Sequence, residues 1–332
     1  MKIRLIMGAA FAAVMLVGCG SNNTTADSTT TGTTGTPPAA NAKPLVVGFS
    51  QIGAESAWRT ANTESIRGEA EKRGIKLQFS DAQQKQENQI KAIKNFIAQK
   101  VDVIAFAPVV ETGWEPVLKE AKEAGIPVIV SDRRPAVPDD LYVTFIGADF
   151  IEEGKRAGEW LAKKMNGKAV IAELEGTPGS APANDRKKGF SDAIAKFPDM
   201  KVVFSQTGEF TRAKGKEVME ALLKSPEGAQ INCLFAHNDD MALGAIQAIE
   251  EAGKKPGKDI IIVSIDGVKG AFEAMVDGKM NCTVECNPLL GPLLFDAIEA
   301  VKAGKPLPKR TIVPDGMFDE TQAKAELPNR KY

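Results

Sequence analysis

Histidine and cysteine, the residues that most often bind transition metals, are scarce in this chain of 332 residues. It has one histidine, His237, and four cysteines, and one histidine cannot supply a metal cluster. Cys282 and Cys286 have the spacing C-x-x-x-C, which is not that of a zinc pair. Sequences of the G-x-S-x-G, H-E-x-x-H and Walker A types are absent as well. The sequence therefore predicts no metal and no cofactor, and it offers no motif of an enzyme.

A surplus of positive charge is also missing. The chain has 42 Lys and Arg residues against 43 Asp and Glu residues. A protein that binds nucleic acid needs basic side chains to neutralise phosphates, so nucleic acid is not an expected partner. An N-terminal helix-turn-helix, which a ligand-responsive repressor would use to bind DNA, is absent too.

The apolar run near the start of the chain is shorter than a transmembrane helix. Such a helix needs about 20 apolar residues, and the run covers Leu5 to Val17. Lys2 and Arg4 precede it, as in a signal peptide, and it ends in LVGC, which is typical of a bacterial lipobox. An ordinary signal peptide with an incidental cysteine is the alternative. We expect residues 1–19 to be a lipoprotein signal peptide whose Cys19 is acylated, which would anchor the mature chain to a membrane.

Residues 20–43 contain no aliphatic side chain larger than alanine. Such a segment cannot bury enough surface to offset the entropy of ordering it. We therefore expect a disordered tether, with folding from about Pro44. Together with the lipobox it predicts an exported chain, lipid-anchored at the cell envelope, either in the periplasm or on the outer face of the cytoplasmic membrane.

From Pro44 onward, short apolar runs rich in Val and Ile alternate with segments of helical periodicity. Ile90, Ile93 and Ile97, for example, recur on one helix face. Unbroken apolar runs are typical of strands covered on both faces of a parallel sheet, and the alternation predicts an α/β fold with right-handed crossovers. The predicted strands are Leu45–Phe49, Val101–Phe106, Ile126–Val130, Val143–Ile146, Ala169–Leu174, Val202–Phe204, Cys233–Ala236 and Ile260–Ser264.

These runs form two series that break near Gly147, which indicates two similar lobes. In open α/β sheets, ligands bind outside the carboxyl ends of the strands. The loops at those ends carry carboxylates, guanidinium groups, an amide and aromatic rings. The candidate binding residues are Trp58, Arg59, Asp132, Arg133, Arg186, Phe210, Asn238 and Asp266.

This mixture of side chains is what a sugar requires. Hydroxyl groups donate to carboxylates and accept from Arg or Asn, and the C–H faces of the ring stack on aromatic side chains. Simpler interpretations exist: Asp266, before a glycine, can be a turn residue, and Asp132 with Arg133 can form a surface ion pair. Trp58 follows a candidate helix N-cap, which favours a binding role over a core role. His237 is interpreted as a loop residue or a support for other side chains.

Three cysteines remain beyond Cys19, an odd number for an exported chain. Cys282 and Cys286 lie four residues apart in an apparent strand, where their Cα atoms would be roughly 13 Å apart. A disulfide needs less than about 7 Å. We therefore expect Cys233, Cys282 and Cys286 to be small buried thiols.

Longer stretches of the sequence carry a family resemblance. They cover most of residues 45–288 and resemble periplasmic solute-binding proteins of the ribose-binding type, and within that group the galactofuranose-binding proteins of bacterial sugar ABC transporters. Each stretch alone is a weak signal, but together they are specific. The stretches are VGFSQIGAESAWR, DAQQKQENQIKAIKNFIAQ, APVVETGWEPVLKEAKEAGIPV, DRKKGF, FTRAKGKEVMEAL, AHNDDMALGAIQAI, PGKDI and SIDGV.

The resemblance implies two Rossmann-like lobes with parallel sheets, of the Venus-flytrap or type 1 periplasmic binding protein kind. Three hinge crossings would join them near Gly147, Glu285 and Pro308. A monosaccharide would bind in the cleft, and the permease and ATPase subunits of an importer would respond to closure around it. We expect a monomer. The expected lobes are 44–147 with 287–308 and 148–286 with 309–332.

Site residues follow from the same resemblance, motif by motif. Trp58 and Arg59 match a Trp-Arg pair of the galactofuranose-binding relative, and Phe210 matches an aromatic wall. In ribose-type motifs, Asp132 and Arg133 match an Asp-Arg pair, Arg186 an Arg ahead of Gly-Phe, Asn238 the Asn of Asn-Asp, and Asp266 the Asp of Asp-Gly.

Three positions depart from the family pattern. Ribose-type binders commonly have Gln two residues before a hinge proline, where this chain has Cys286, so the neighbouring Glu285 becomes a candidate polar contact. Arg134 adds a guanidinium beside the cleft pair; it could favour an oxidised or anionic sugar, and the preferred interpretation is that it points to solvent. Ala169 stands where the galactofuranose-binding relative has a cysteine, which implies that Cys233 has no disulfide partner.

Two other functions share features with a sugar-binding transport protein. A sugar-sensing receptor for chemotaxis or signalling has the same fold, and paired carboxylates could in principle hydrolyse a glycoside. The sequence favours a binding protein over an enzyme. It does not decide between galactofuranose and a related hexose or pentose.

Overall fold

The computed structural model describes residues 44–332. The predictions of an acylated Cys19 and of a tether over 20–43 lie outside the described residues. Strands and helices alternate along the described chain. Its strands are β1 (Val46–Gln51), β2 (Lys76–Asp81), β3 (Val103–Phe106), β4 (Val128–Ser131), β5 (Thr144–Gly147), β6 (Lys168–Glu175), β7 (Asp199–Thr207), β8 (Cys233–Ala236), β9 (Ile261–Asp266), β10 (Cys282–Glu285), β11 (Arg310–Ile312) and β12 (Met317–Asp319).

The strands form two sheets of six. The first has the order β11-β5-β4-β3-β1-β2, with every neighbouring pair parallel. The second has the order β12-β10-β9-β8-β6-β7 and is parallel except for the antiparallel pair of β12 and β10. Each sheet is the centre of one lobe, so the prediction of two parallel α/β lobes is confirmed.

Helices cover the sheets, as parallel strands require. In the first lobe, α2 and α3 pack on one side and α1 and α9 on the other, each over its own apolar cluster. The second lobe is built around α4 to α8. The helices are α1 (Ala57–Lys72), α2 (Gln86–Ala98), α3 (Glu115–Glu123), α4 (Phe150–Lys164), α5 (Ala181–Ile194), α6 (Arg212–Leu223), α7 (Asp239–Glu251), α8 (Lys269–Val276), α9 (Gly291–Lys302) and α10 (Ala323–Glu326).

Burial explains which strands could be predicted from the sequence. All four residues are buried in each of β3, β4, β5 and β8, because these strands lie inside the sheets and are covered on both faces. Their apolar runs predicted them correctly. Strand β2, which was not predicted, lies at a sheet edge and contains no fully buried residue, so its sequence KLQFSD carries no apolar run.

The chain passes between the lobes three times. Residues 148–149 join β5 to α4, residues 286–290 join β10 to α9, and residues 313–316 join β11 to β12. The last passage corrects the prediction of a crossing near Pro308. Strand β11 pairs with β5 in the first sheet, so residues 310–312 belong to the N-terminal lobe rather than to the C-terminal lobe.

Hydrogen bonds fasten two of these crossings together. The N–H of Glu285 donates to the carbonyl of Gly316 (2.9 Å), and the N–H of Gly316 donates to Oε2 of Glu285 (2.8 Å). The N–H of Asn287 donates to Oδ1 of Asp315 (3.1 Å). The second and third crossings therefore form one hydrogen-bonded unit.

Candidate functional site

The carboxyl ends of strands from both sheets face each other across a cleft. The side chains that follow these ends line a small cavity between the two lobes. Eight of the nine predicted binding residues line this cavity. They are Trp58, Arg59, Asp132, Arg133, Arg186, Phe210, Asn238 and Asp266.

Glu285 is the predicted contact that the structure places elsewhere. Its Oε1 accepts from Nη1 of Arg330 (2.8 Å) and from the hydroxyl of Tyr332 (2.9 Å), and its Oε2 accepts from the N–H of Gly316. Successive side chains of an extended chain point to opposite sides, and it is the neighbouring Cys286 that lines the cavity. The prediction for Glu285 is therefore wrong, and its carboxylate fastens the hinge.

Arg59 is the centre of the buried charges of the first lobe. The side chain of Ser56 caps α1 by accepting from the N–H of Arg59 (3.1 Å), as predicted, which places Arg59 in the first turn. Its Nε donates to Oε1 of Glu55 (3.0 Å) and its Nη2 to Oδ2 of Asp132 (2.7 Å). Arg133 lies 3.8 Å from both carboxylates. All four charged side chains are at most 5% exposed, which excludes the surface ion pair as an interpretation.

Burial and neighbouring charges shift the pKa values of Glu55 and Arg133. Burial alone would raise the pKa of Glu55, but the charges of Arg59 and Arg133 outweigh it and hold the pKa below its ordinary value. Burial lowers the pKa of Arg133 to about 10, with help from the like charge of Arg59. Both groups are therefore charged at neutral pH, in a site from which water is largely excluded.

Arg186 has the same central place in the second lobe. Its Nε donates to Oε2 of Glu153 (2.7 Å), its Nη1 to the carbonyl of His237 (2.6 Å), and its Nη2 lies 3.4 Å from Oδ1 of Asp266. The guanidinium is 3% exposed. Three acceptors from three different elements thus fix the direction in which Arg186 points.

Two glycines let α4 and α5 cross closely enough to make this arrangement. A Cβ atom at Gly154 would lie 2.1 Å from the carbonyl oxygen of Arg186, and one at Gly189 would lie 2.0 Å from that of Ile151. Any larger residue would push the helices apart. The crossing brings Glu153 of α4 against Arg186 of α5.

The carboxyl groups around Arg186 hold their protons more tightly than usual. Burial raises the pKa of Glu153 even though Arg186 opposes it. Burial also raises the pKa of Asp266 well above 3.8, and the nearby Asp239 adds to the shift. These buried carboxyl groups therefore lose their protons at a higher pH than exposed ones do.

Asp132 and Asp266 share an unusual backbone conformation. Asp132 follows β4 with φ +63°, and Asp266 ends β9 with φ +134°. Non-glycine residues adopt positive φ rarely, and such strain is concentrated at functional sites. Each lobe thus presents a carboxylate from a residue with positive φ, at equivalent strand ends.

Aromatic rings form the apolar part of the wall. The guanidinium of Arg133 lies 5.1 Å from the ring centre of Phe210, and that of Arg186 lies 5.2 Å from the ring centre of Phe150. The indole Nε1 of Trp58 donates to the carbonyl of Cys286 (2.6 Å), which leaves the ring against the cavity. Trp58 therefore lines the cavity.

Asn238 supports this wall. Its Oδ1 caps α7 by accepting from the N–H of Met241 (3.0 Å), and its Nδ2 donates to the carbonyl of Phe210 (3.1 Å). Phe210 has φ +63°, so the amide holds it in a strained conformation.

Several polar atoms at the cavity have no hydrogen-bond partner. They are Oε2 of Glu55 and Nε of Arg133, which line the cavity, and Oε1 of Glu153 behind it, all on buried side chains. Leaving a buried polar atom unsatisfied costs about 1–3 kcal/mol. Acceptors and a donor of this kind are suited to a ligand that carries several hydroxyl groups.

Some residues of the site escaped the sequence analysis. Glu55, Phe150, Pro182 and Cys286 line the cavity, and Glu153 supports it from behind. Glu55 lies within the stretch VGFSQIGAESAWR, and its distance from the end of β1 is the signal that could have found it. Phe150 and Glu153 look like ordinary helix residues, and only the packing of α4 reveals their role.

Direct contacts also join the lobes at the edge of the cleft. Oδ2 of Asp240 in α7 accepts from the N–H of Ala57, the first residue of α1 (2.7 Å). Nη2 of Arg134 donates to Oδ2 of Asp185 in α5 (2.8 Å), so Arg134 makes an ion pair between the lobes, contrary to the preferred interpretation. Nδ2 of Asn184 donates to Oε2 of Glu111 (2.6 Å). The lobes are therefore in a closed arrangement.

Within residues 44–332, Cys233, Cys282 and Cys286 are buried and unpaired, as predicted. No group of His, Cys, Asp or Glu side chains in that range is arranged to hold a metal ion. No helix there has both the length and the apolar character that crossing a membrane requires.

Comparison with known proteins places this geometry in a family. Residues 47–306 match the model of the periplasmic binding protein domain. The galactofuranose-binding protein of Escherichia coli K12 is 53% identical over 294 residues, which cover 87% of this chain and 92% of that protein.

Two solved structures are similar as well. One is the binding protein of the arabinose ABC transporter from Shewanella sp. ANA-3, bound to α- and β-L-arabinofuranose (56% identity, 86% of this chain and 96% of the other, TM-score 0.84). The other is a Mycobacterium smegmatis protein in complex with β-D-fucofuranose (58%, 87% and 95%, TM-score 0.84). The chain belongs to the periplasmic binding protein family.

Proposed function

We propose that the chain is the substrate-binding component of an ABC-type sugar importer and binds a monosaccharide in the cavity between its lobes. The observation that carries this proposal is the cavity itself. Buried carboxylates and guanidinium groups line it, with an unpartnered oxygen on Glu55 and an unpartnered nitrogen on Arg133. Trp58, Phe150 and Phe210 supply apolar surface for the C–H face of a sugar ring.

The ring form we propose is a furanose. The sugars named for the similar proteins are galactofuranose, L-arabinofuranose and D-fucofuranose. D-galactose, D-fucose and L-arabinose have the same configuration at C2, C3 and C4, so their furanose rings present the same hydroxyl pattern and differ only in the group on C4. A site that reads the ring would accept all three.

The charge balance of the cavity favours a neutral sugar over a sugar acid. Each guanidinium at the cavity lies against two acidic side chains. They are Glu55 and Asp132 for Arg59 and Arg133, and Glu153 and Asp266 for Arg186. Arg134, the extra cation noted in the sequence, is already paired with Asp185. No surplus positive charge is left for an anionic ligand among the described cavity residues.

Export and anchoring complete the proposal. Family membership supports an exported protein, and the signal sequence with Cys19 supports a lipid anchor, with residues 20–43 as the tether. Metabolic labelling with a radioactive or clickable fatty acid tests the anchor. Labelling should require Cys19 and be lost in Cys19→Ser, and a labelled Cys19→Ser protein would refute it.

Partners follow from the same role. A permease and an ATPase of an importer would receive the sugar from the closed monomer. No step of catalysis is proposed, and sustained turnover of chromogenic furanosides by the purified protein would contradict the binding role.

A ligand panel tests the function directly. D-galactose, L-arabinose and D-fucose should each raise the melting temperature, because a bound ligand stabilises by RT ln(1 + [L]/Kd). D-glucose, whose configuration differs at C4, and D-galacturonate are the controls and should produce a much smaller shift. Calorimetry then gives the Kd of each hit. Equal shifts with all sugars, or none with the first three, would count against the proposal.

A further inference from the structure

His237 lies directly behind the cavity wall and takes no part in lining it. It follows β8, its side chain is fully buried, and its ring lies 5.0 Å from that of Phe235. Its Nε2 is 3.2 Å from Oε1 of Glu173, and its Nδ1 accepts from the N–H of Gly176 (3.3 Å). Since a backbone N–H can only donate, Nδ1 carries no proton, and the proton on Nε2 points to Glu173.

Gly176 connects this ring to the cavity. A Cβ atom at Gly176 would lie 1.9 Å from Cζ of Phe210, so the phenyl ring of the wall rests directly on this backbone. The backbone carbonyl of His237 also accepts from Arg186. One residue thus fixes the surface on which Phe210 rests and one of the three acceptors of Arg186.

We propose that His237 is a positioning residue of the sugar site that works only as a neutral imidazole, with Nδ1 holding the Gly176 backbone under Phe210. The proposal rests on the function proposed above. If His237 is protonated, Nδ1 acquires a proton that faces the N–H of Gly176, and the hydrogen bond is lost. The support of Phe210 is then released, and sugar affinity falls.

The charges around the ring set the direction of the pH effect. Glu173 and Glu175 of β6 and Arg186 of α5 face it, and Lys187 of α5 is bonded to both glutamates. Burial lowers the pKa of His237 below 6.5, and the hydrogen bond and charge of Glu173 oppose this without reversing it. The neutral form therefore persists at neutral pH, and affinity is expected to fall only below pH 6.5.

The chain offers an unusually direct measurement, because His237 is its one histidine. With a purification tag that lacks histidine, the imidazole nitrogens of ¹⁵N-labelled protein give signals from this residue alone. We expect the Nε2–H tautomer at pH 7.5, with and without L-arabinose, and a titration midpoint below 6.5. An Nδ1–H tautomer would overturn the proposal. The NMR measurement can be made without sugar, so it remains informative even if the proposed function is wrong.

Calorimetry with L-arabinose tests the link to binding. The Kd of the wild type should stay constant above pH 7 and rise below the midpoint that NMR reports. His237→Asn places an amide oxygen where Nδ1 was and should bind within about twofold of the wild type, whereas His237→Gln cannot bond Gly176 and should lose about three- to tenfold.

The pH profile separates positioning from a merely structural role. The rise in Kd below the midpoint should disappear in His237→Asn, which has no imidazole to protonate. A Kd that ignores the NMR midpoint in the wild type, or an identical rise in His237→Asn, would refute the proposal. If His237→Gln fails to fold, the comparison of the wild type with His237→Asn decides the question.

Discussion

Replacing Asp240 by alanine is expected to weaken sugar binding, although Asp240 does not line the cavity. Its Oδ2 accepts from the N–H of Ala57 across the cleft, at 2.7 Å, and its side chain is 7% exposed. The partner group lies at the amino end of α1, where the helix dipole adds to the attraction of a carboxylate. This contact exists only while the lobes are closed.

The size of the effect follows from the type of bond. A hydrogen bond to a charged group contributes about 1.5–3 kcal/mol, which is roughly a 10- to 150-fold change in an equilibrium constant. Loss of the bond shifts the lobes toward opening by that factor. Because the apparent Kd is the intrinsic Kd divided by the closed fraction, the Kd should rise by about tenfold or more.

Two variants control the interpretation. Asp240→Asn keeps an acceptor without the charge and should lie between alanine and the wild type. Arg212→Gln removes the other partner of Asp240, an ion pair at 2.9 Å whose arginine is 47% exposed. That pair lies within the second lobe, so its loss should change the Kd by less than about threefold.

Calorimetry with L-arabinose gives the Kd, and small-angle scattering of the sugar-free protein gives the shift toward the open form. An Asp240→Ala protein that binds as tightly as the wild type would refute the reasoning. So would a loss that Arg212→Gln reproduces in full, since that pair does not cross the cleft.

Three further predictions test the site. Asp132→Asn, which tolerates the positive φ, should weaken sugar binding by about 2 kcal/mol, roughly thirtyfold, without unfolding the protein; calorimetry showing an unchanged Kd would remove Asp132 from the site. Trp58→Phe should abolish the change in tryptophan fluorescence on sugar binding, while Trp160→Phe, outside the cavity, should retain it; the reverse result would contradict the placement of Trp58. Burial raises the pKa of Asp239 to about 7, so its contribution to stability is present below pH 4 and is lost as pH rises through 7. Asp239→Asn should flatten that pH dependence in urea unfolding at pH 5 and pH 8, and an unaltered slope would show that another group titrates.

The sequence revealed those parts of the fold that depend on continuous burial. Strands β3, β4, β5 and β8 are short apolar runs because both of their faces are covered, and pattern alone located them. Strand β11 has three residues at a sheet edge, two of them exposed, so composition gave no sign of it and the third crossing was placed too early.

The site was predictable where function depends on position relative to a strand end. Asp132 directly follows β4, Asn238 lies two residues after β8, and Asp266 is the last residue of β9. The rule for open α/β sheets located all three. Whether Glu285 or Cys286 points to the cavity depends on how the chain leaves β10. No local sequence pattern encodes that direction. Glu153 depends on a close helix crossing between residues far apart in sequence.

The fastening of the second and third crossings by Glu285 has a mechanical consequence. Because Glu285, Gly316 and Asp315 bond these two connections to each other, we expect the connections to bend as one unit. Closure is then described mainly by the angle between the lobes, and skewed closures are disfavoured. An importer that reads this angle can then respond to occupancy in the same way whichever group the sugar carries on C4.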